Sequence, residues 1–110
     1  MRRADLERLR DDAVAEISTL DESLLSLFEA SRSSNADDEH DPEGSTIGYE
    51  RAQLTAVRDA ARRRLADLDD ALHRLDDGTY GICEVCGKPI PADRLDARPS
   101  ARTCVGCAGR

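Results

Sequence analysis

The chain has 110 residues, a net charge of −7 and 35% charged residues. With one Phe, two Tyr and no Trp, it lacks the aromatic area of a thick globular core; Leu, Ala, Val and Ile must build a thin helix-on-helix seam instead. The acidic balance argues against nucleic acid phosphate as a general partner, and the opening MRRADLERLR has no apolar run to serve as a signal peptide or membrane span.

In chain order, the first element expected is a helix over about residues 3–32. Leu6, Leu9, Ala13, Ile17, Leu20, Leu24 and Leu27 form an apolar stripe close to a heptad repeat, and no Pro or Gly interrupts it. Residues 33–46, SSNADDEHDPEGST, read as a loop rich in Ser, Asn, Asp, Pro and Gly. They carry Asp37, Asp38, Glu39, Asp41 and Glu43 and no Lys or Arg. By composition alone this is a solvated turn, and His40 within it reads as solvated too. Ser45 or Thr46 is the expected cap of the next helix, with Glu50 placed for a capping contact.

A second helix is expected over about 47–77, with Leu54, Val57, Ala61, Leu65, Leu68, Leu72 and Leu75 repeating the rhythm of the first and Gly78 as its stop. His73 beside Leu72 reads as a surface residue. Each helix would be about 45 Å long. A single helix cannot bury its stripe alone, and the short connection favours an antiparallel hairpin within one chain over pairing between chains; a monomer is expected. Leu20 and Leu24 are expected opposite Leu65 and Leu68 or near neighbours across the seam.

The last segment, 78–110, holds all four cysteines as Cys83, Cys86, Cys104 and Cys107 in the spacing C-x₂-C-x₁₇-C-x₂-C. Each close pair turns two sulfurs to one point, and the span between brings the pairs together as the tetrahedral thiolate set that zinc prefers. Gly87 suits the tight knuckle after the first pair. Four protein ligands leave no open position for water, so the expectation is one structural zinc ion rather than a catalytic one. An iron–sulfur cluster or a redox dithiol is the competing reading of the same spacing. Four thiolates with one divalent ion would bring this slightly basic segment close to neutral, which weakens a nucleic-acid-binding ribbon. Lys88, Arg94, Arg98 and Arg102 remain able to touch a phosphate or a protein acid. No nucleophile–base pair and no phosphate-cradling Gly loop is visible, so no enzyme is expected.

The finger GTYGICEVCGKPIPADRL, continuing into RLDARPSARTCVGC, resembles that of the DksA/TraR family of bacterial transcription regulators. The Cys spacing matches, as do the RL-x-A-x-P run between the pairs and the helical hairpin before the finger. The resemblance implies a mainly α fold: an antiparallel helical hairpin over 1–77 followed by a small four-cysteine zinc finger over 78–110. It also implies a cytoplasmic protein that binds bacterial RNA polymerase rather than specific DNA, inserting its hairpin into the secondary channel with the acidic tip near the catalytic magnesium. A coiled-coil adaptor for another protein and a nucleic-acid-binding zinc ribbon stay open as alternatives.

The family's tip pattern D-x-x-D-x-A is met in part. Asp38 and Asp41 supply the acids, with Glu43 at the Ala position. Registering on Asp41 instead puts Gly44 and Thr46 at the later positions, and counting back from Cys83 puts His40 and Glu43 at the two acids. The chain also ends three residues after Cys107, without the C-terminal helix of longer members. The family's basic contacts to guanosine tetraphosphate fall on Ala60, Asp67 and Ala108. Action without that alarmone is therefore expected, with Arg62, Arg63 and Arg64 as the nearby basic residues able to substitute.

Overall fold

The structure is a computed structural model and describes residues 2–34 and 42–109. Its long elements are helix α1, Arg3–Ser34, and helix α2, Pro42–Asp77. A short helix α3, Ala92–Ala97, and a single 3-10 turn, Val105–Cys107, follow in the cysteine segment. No β-strand is present among the described residues, only an isolated antiparallel bridge between Ile82 and Pro89. The fold is therefore the expected helical hairpin followed by a small four-cysteine finger.

Two expectations about α2 are corrected. It starts at Pro42, not 47, so Ser45 and Thr46 lie inside the helix rather than capping it, and Glu43 belongs to the helix rather than to the loop. Proline explains this: its fixed φ already suits a helix, and its missing N–H is lost at a place where no intrahelical acceptor exists. The far end of α2 stops as expected. Gly78 has φ 78°, a left-handed conformation without penalty only for glycine. Thr79 N–H donates to Arg74 O at 2.9 Å and Gly78 N–H to Leu75 O at 3.3 Å, the paired bonds of a Schellman motif.

The chain divides into two compact units. One combines Met1–Asp12 with Arg64–Arg110, and the other is Ala13–Arg63. The base of the hairpin thus groups with the finger, and the boundary expected after residue 77 falls inside a unit. In the first unit Arg3 pairs with Asp76 and Arg10 with Asp69. As one number rises by seven the other falls by seven, the mark of antiparallel helices. In the second, Asp21 pairs with Arg58 at 3.5 Å. That pairing sets Leu20 and Leu24 level with the stretch around Thr55 to Asp59, not with Leu65 and Leu68 as expected. Two stripes of equal length pair head to tail, so the middle of one meets the middle of the other.

The stripes are also shifted at one position in each helix. Leu9 and Val57 are exposed, 37% and 44%, while Arg10 and Arg58 are half-buried. With Arg10 in place of Leu9, the first seam runs 6, 10, 13, 17, 20, 24, 27. With Arg58 in place of Val57, the second runs 54, 58, 61, 65, 68, 72, 75. Both then alternate strictly by four and three, the coiled-coil rhythm. Each arginine is half-buried and carries its head to an acid of the facing helix. The surrounding residues repeat as well: Leu6, Arg10, Asp11 and Ala13 match Leu54, Arg58, Asp59 and Ala61.

Candidate metal centre

Two knuckles and a strap build the metal centre. In the first knuckle Cys83 N–H donates to Lys88 O and Gly87 N–H to Cys83 O, both at 2.9 Å, while Ile90 N–H reaches Gly81 O at 2.7 Å. Gly87, with φ 74°, supplies the left-handed turn that this loop needs. In the second, Cys107 N–H donates to Cys104 O at 3.1 Å. Cys83, Ile90, Leu95, Ala101 and Cys107 form the buried core of the finger, with Tyr80 and Cys104 packed against it. Leu95 comes from α3, a helix that the sequence reading did not separate from the finger.

The four ligand atoms meet the geometric demand of zinc. Their sulfurs all lie within 4.8 Å of one another, and Cys86 Sγ is 3.9 Å from Cys104 Sγ. A tetrahedron with Zn–S bonds of about 2.3 Å has edges of about 3.8 Å. The four sulfurs also perturb one another's protonation. Backbone N–H groups of Cys86 first, then of Cys104 and Val85, pull the Cys83 thiol down to about 6. The hydrogen-bonded Cys104 thiol first, then burial and the other sulfurs, push Cys107 up to about 12. Four thiolates gathered at one point repel each other, and a divalent cation removes that repulsion. Cys83 and Cys107 are buried, Cys104 is half-buried and Cys86 is exposed, so the centre opens toward solvent on the Cys86 side.

The other candidate residues are scattered. Asp37, Asp38, Glu39, His40 and Asp41 lie outside the described residues, and Glu43 lies on α2. Arg62 approaches Asp21 at 3.8 Å, and Arg63 is exposed in the same unit. Arg64 and Lys88 are exposed in the unit that contains the finger. Arg94, half-buried there, donates from Nε to Thr103 O at 3.1 Å. Arg62 and Arg63 thus lie in one unit, and Arg64, Lys88 and Arg94 in the other. His73 is exposed, as expected. Arg94, Arg98 and Arg102 do line one cleft, of 280 Å³, together with Asp67, Glu84, Ser100, Ala101 and Thr103.

Sequence reasoning missed Arg74 and Tyr80. Arg74 Nε donates to Asp70 at 2.8 Å, and its guanidinium lies 5.8 Å from the centre of the Tyr80 ring. Burial raises the Tyr80 phenol above its ordinary pKa, so its hydroxyl stays a donor, to Pro99 O at 2.8 Å. No spacing rule announces contacts of this kind.

Known proteins share both the finger and the hairpin. A model of the prokaryotic dksA/traR C4-type zinc finger matches residues 78–110. General stress protein 16O of Bacillus subtilis is 39% identical over 72 residues, covering 66% of this chain and 44% of that protein. The RNA polymerase-binding transcription factor DksA of Caulobacter vibrioides is 45% identical over 56 residues, covering 51% of this chain and 39% of the relative. The chain thus spans under half the length of these curated relatives. The structure of transcription factor DksA2 from Pseudomonas aeruginosa superposes with a TM-score of 0.57 at 25% identity, covering 96% of this chain and 81% of that one. Four-cysteine spacing alone fits many zinc fingers, but residues 78–110 match the dksA/traR C4-type finger, and the four clustered cysteines Cys83, Cys86, Cys104 and Cys107 fit one structural zinc ion.

Proposed function

We propose that this protein binds bacterial RNA polymerase and modulates transcription, entering the secondary channel with the acidic end of its hairpin. The observation that carries the reading is the likeness to DksA2, a transcription factor, over 96% of the chain, hairpin and finger together. The relatives named as RNA polymerase-binding factors support it, being 45% identical over 56 residues and 38% over 50. The charge pattern supports it too: residues 33–46 hold five acids and no Lys or Arg, suited to a cationic, metal-containing cavity. The zinc ion is structural in this reading, and no catalysis is assigned to the chain.

The test has two parts. Purified protein is used to capture partners from bacterial extract, and the reading requires polymerase subunits in the eluate. Capture of some other protein without polymerase would favour an adaptor. In vitro transcription is then compared for wild type and the Asp38→Asn, Asp41→Asn double variant. The variant keeps polymerase binding and loses most of the effect on transcription. Equal effects would make the acidic segment a solvated turn.

Independence from guanosine tetraphosphate belongs to the same proposal. Among the arginines of the 280 Å³ cleft, Arg102 is drawn to Asp70 at 2.6 Å and Glu84 at 3.5 Å, and Arg94 is used by Thr103 O. Asp67 on the same wall carries the wrong sign for a phosphate. Transcription measured with and without the alarmone should differ little, and ligand binding that rises on adding this protein would reverse the conclusion.

A further inference from the structure

The second cysteine pair reaches the metal on an irregular strap, residues 99–103, which contains no helix or strand. A strap of this kind gives its backbone carbonyls no regular partners, and buried carbonyls without donors are costly. Here every carbonyl of the run has one. Tyr80 Oη donates to Pro99 O at 2.8 Å, Arg74 Nη2 to Ser100 O at 3.1 Å, and Arg74 Nη1 to Ala101 O at 3.3 Å. Glu84 N–H donates to Arg102 O at 2.9 Å and Arg94 Nε to Thr103 O at 3.1 Å.

Arg74 stands apart among these donors. It is the one that belongs to α2, it serves two consecutive carbonyls, and its side chain is only 14% exposed. Its remaining nitrogen, Nε, holds Asp70 Oδ2, the oxygen that also receives Arg102 Nη2 at 2.6 Å. Its own carbonyl accepts the N–H groups of Thr79 and Tyr80, the turn through which α2 hands over to the first knuckle. One residue therefore grips the strap before Cys104 with its side chain and starts the path to Cys83 with its backbone.

We infer that Arg74 is a positioning residue of the metal centre: its guanidinium fork fixes the strap that delivers Cys104 and Cys107, and through it metal loading is coupled to the last turns of α2. Groups that orient metal ligands from outside the coordination sphere commonly change metal affinity about 10- to 100-fold when removed. The fork shape matters because three nitrogens at fixed angles meet two carbonyls and a carboxylate together. Lysine presents one flexible ammonium and cannot span all three. Coupling is reciprocal: if Arg74 helps hold zinc, zinc helps hold Arg74 and the helix around it.

The experiment uses the full chain loaded with zinc and a chromophoric chelator as competitor. Arg74→Ala should bind zinc about 10- to 100-fold more weakly than wild type, with Arg74→Lys between the two. Arg10→Ala, which removes an ion pair of the same unit distant in sequence from the strap, should leave zinc affinity unchanged and so separates positioning from general loss of stability. Amide exchange over residues 70–77 is the second readout. Zinc removal should speed it in wild type, whereas in Arg74→Ala it should be fast with or without zinc. Wild-type affinity in Arg74→Ala, or an equal loss in Arg10→Ala, overturns the inference. Should Arg74→Ala fail to fold, Arg74→Lys decides alone, and wild-type affinity there overturns it equally.

Discussion

The two compact units use the same helices in different ways. Between Ala13 and Arg63 the fully buried residues among those described are Ala13 and Ala61, while Ile17, Leu20, Leu24, Leu27 and Leu54 remain half-buried. The other unit buries Leu6, Leu68 and Ala71 from the helices and Cys83, Ile90, Leu95, Ala101 and Cys107 from the finger. Two helices alone form a seam open on both sides. In the unit that also contains the finger, Leu6 and Leu68 leave water almost completely, while Leu65, Leu72 and Leu75 stay half-buried. A small domain with few aromatics reaches stability at one end through metal ligation rather than through a larger core.

The largest effect expected is on the metal-bearing unit. Cys83→Ser removes the ligand that receives several backbone N–H groups and is 1% exposed. Zinc binding should be lost and residues 78–110 should unfold, since ligation energy and folding energy are the same quantity in such sites. Much of the helical circular dichroism should survive, because α1 and the whole of α2 lie outside the segment. One equivalent of zinc in a folded Cys83→Ser protein would contradict this account of the finger.

Next comes Leu68→Asp. Leu68 is 4% exposed, and the acid would place a charge among apolar groups. The cost is on the order of several kcal/mol, enough to unfold much of the base of the hairpin at ordinary temperature. An unchanged melting temperature would refute the packing. A gentler pair measures the contrast between the units directly. Leu6→Ala removes a fully buried side chain and should cost about 3 kcal/mol, against about 1 kcal/mol for half-buried Leu24→Ala. Equal losses by chemical denaturation would mean that the two units are equally well packed at these positions.

The sequence reveals these regions unevenly. The four ligands of the metal centre are legible, because ligand number and spacing are properties of the chain itself. The hairpin is legible as two heptad stripes, yet Leu9 and Val57 mask the positions that Arg10 and Arg58 occupy. An apolar letter is the natural choice for a seam, and only the strict alternation of four and three shows that an arginine takes the place. The start of α2 at Pro42 is announced by the proline but outweighed by the surrounding Asp, Gly and Ser. The grip of Arg74 and Tyr80 on the strap is not legible at all. Hydrogen bonds to backbone carbonyls 19 to 27 residues away leave no periodic trace.

The smallest effect expected tests whether the seam arginines are equivalent in the two units. Arg58 approaches Asp21 and Asp59 at 3.5 Å each, and its Nε is buried without an acceptor among the described residues. Arg10, in contrast, donates its Nε to Asp69, which raises the guanidinium pKa above its ordinary value. Arg58→Leu would complete the apolar stripe, remove the unsatisfied Nε and leave Asp21 with Arg62 at 3.8 Å. Burying about half of a leucine contributes on the order of 1 kcal/mol, while exposed ion pairs of this length contribute about 0–1 kcal/mol. The melting temperature should therefore stay level or rise by a few degrees. Arg10→Leu should lower it slightly, because a well-directed ion pair is lost and Asp69 is left without it. The same ordering should shrink at high salt, which screens the ion pairs and leaves the apolar contribution untouched. A fall in Arg58→Leu larger than that in Arg10→Leu would show that the outer seam depends on its polar contact, and that its thin apolar packing is not what limits it.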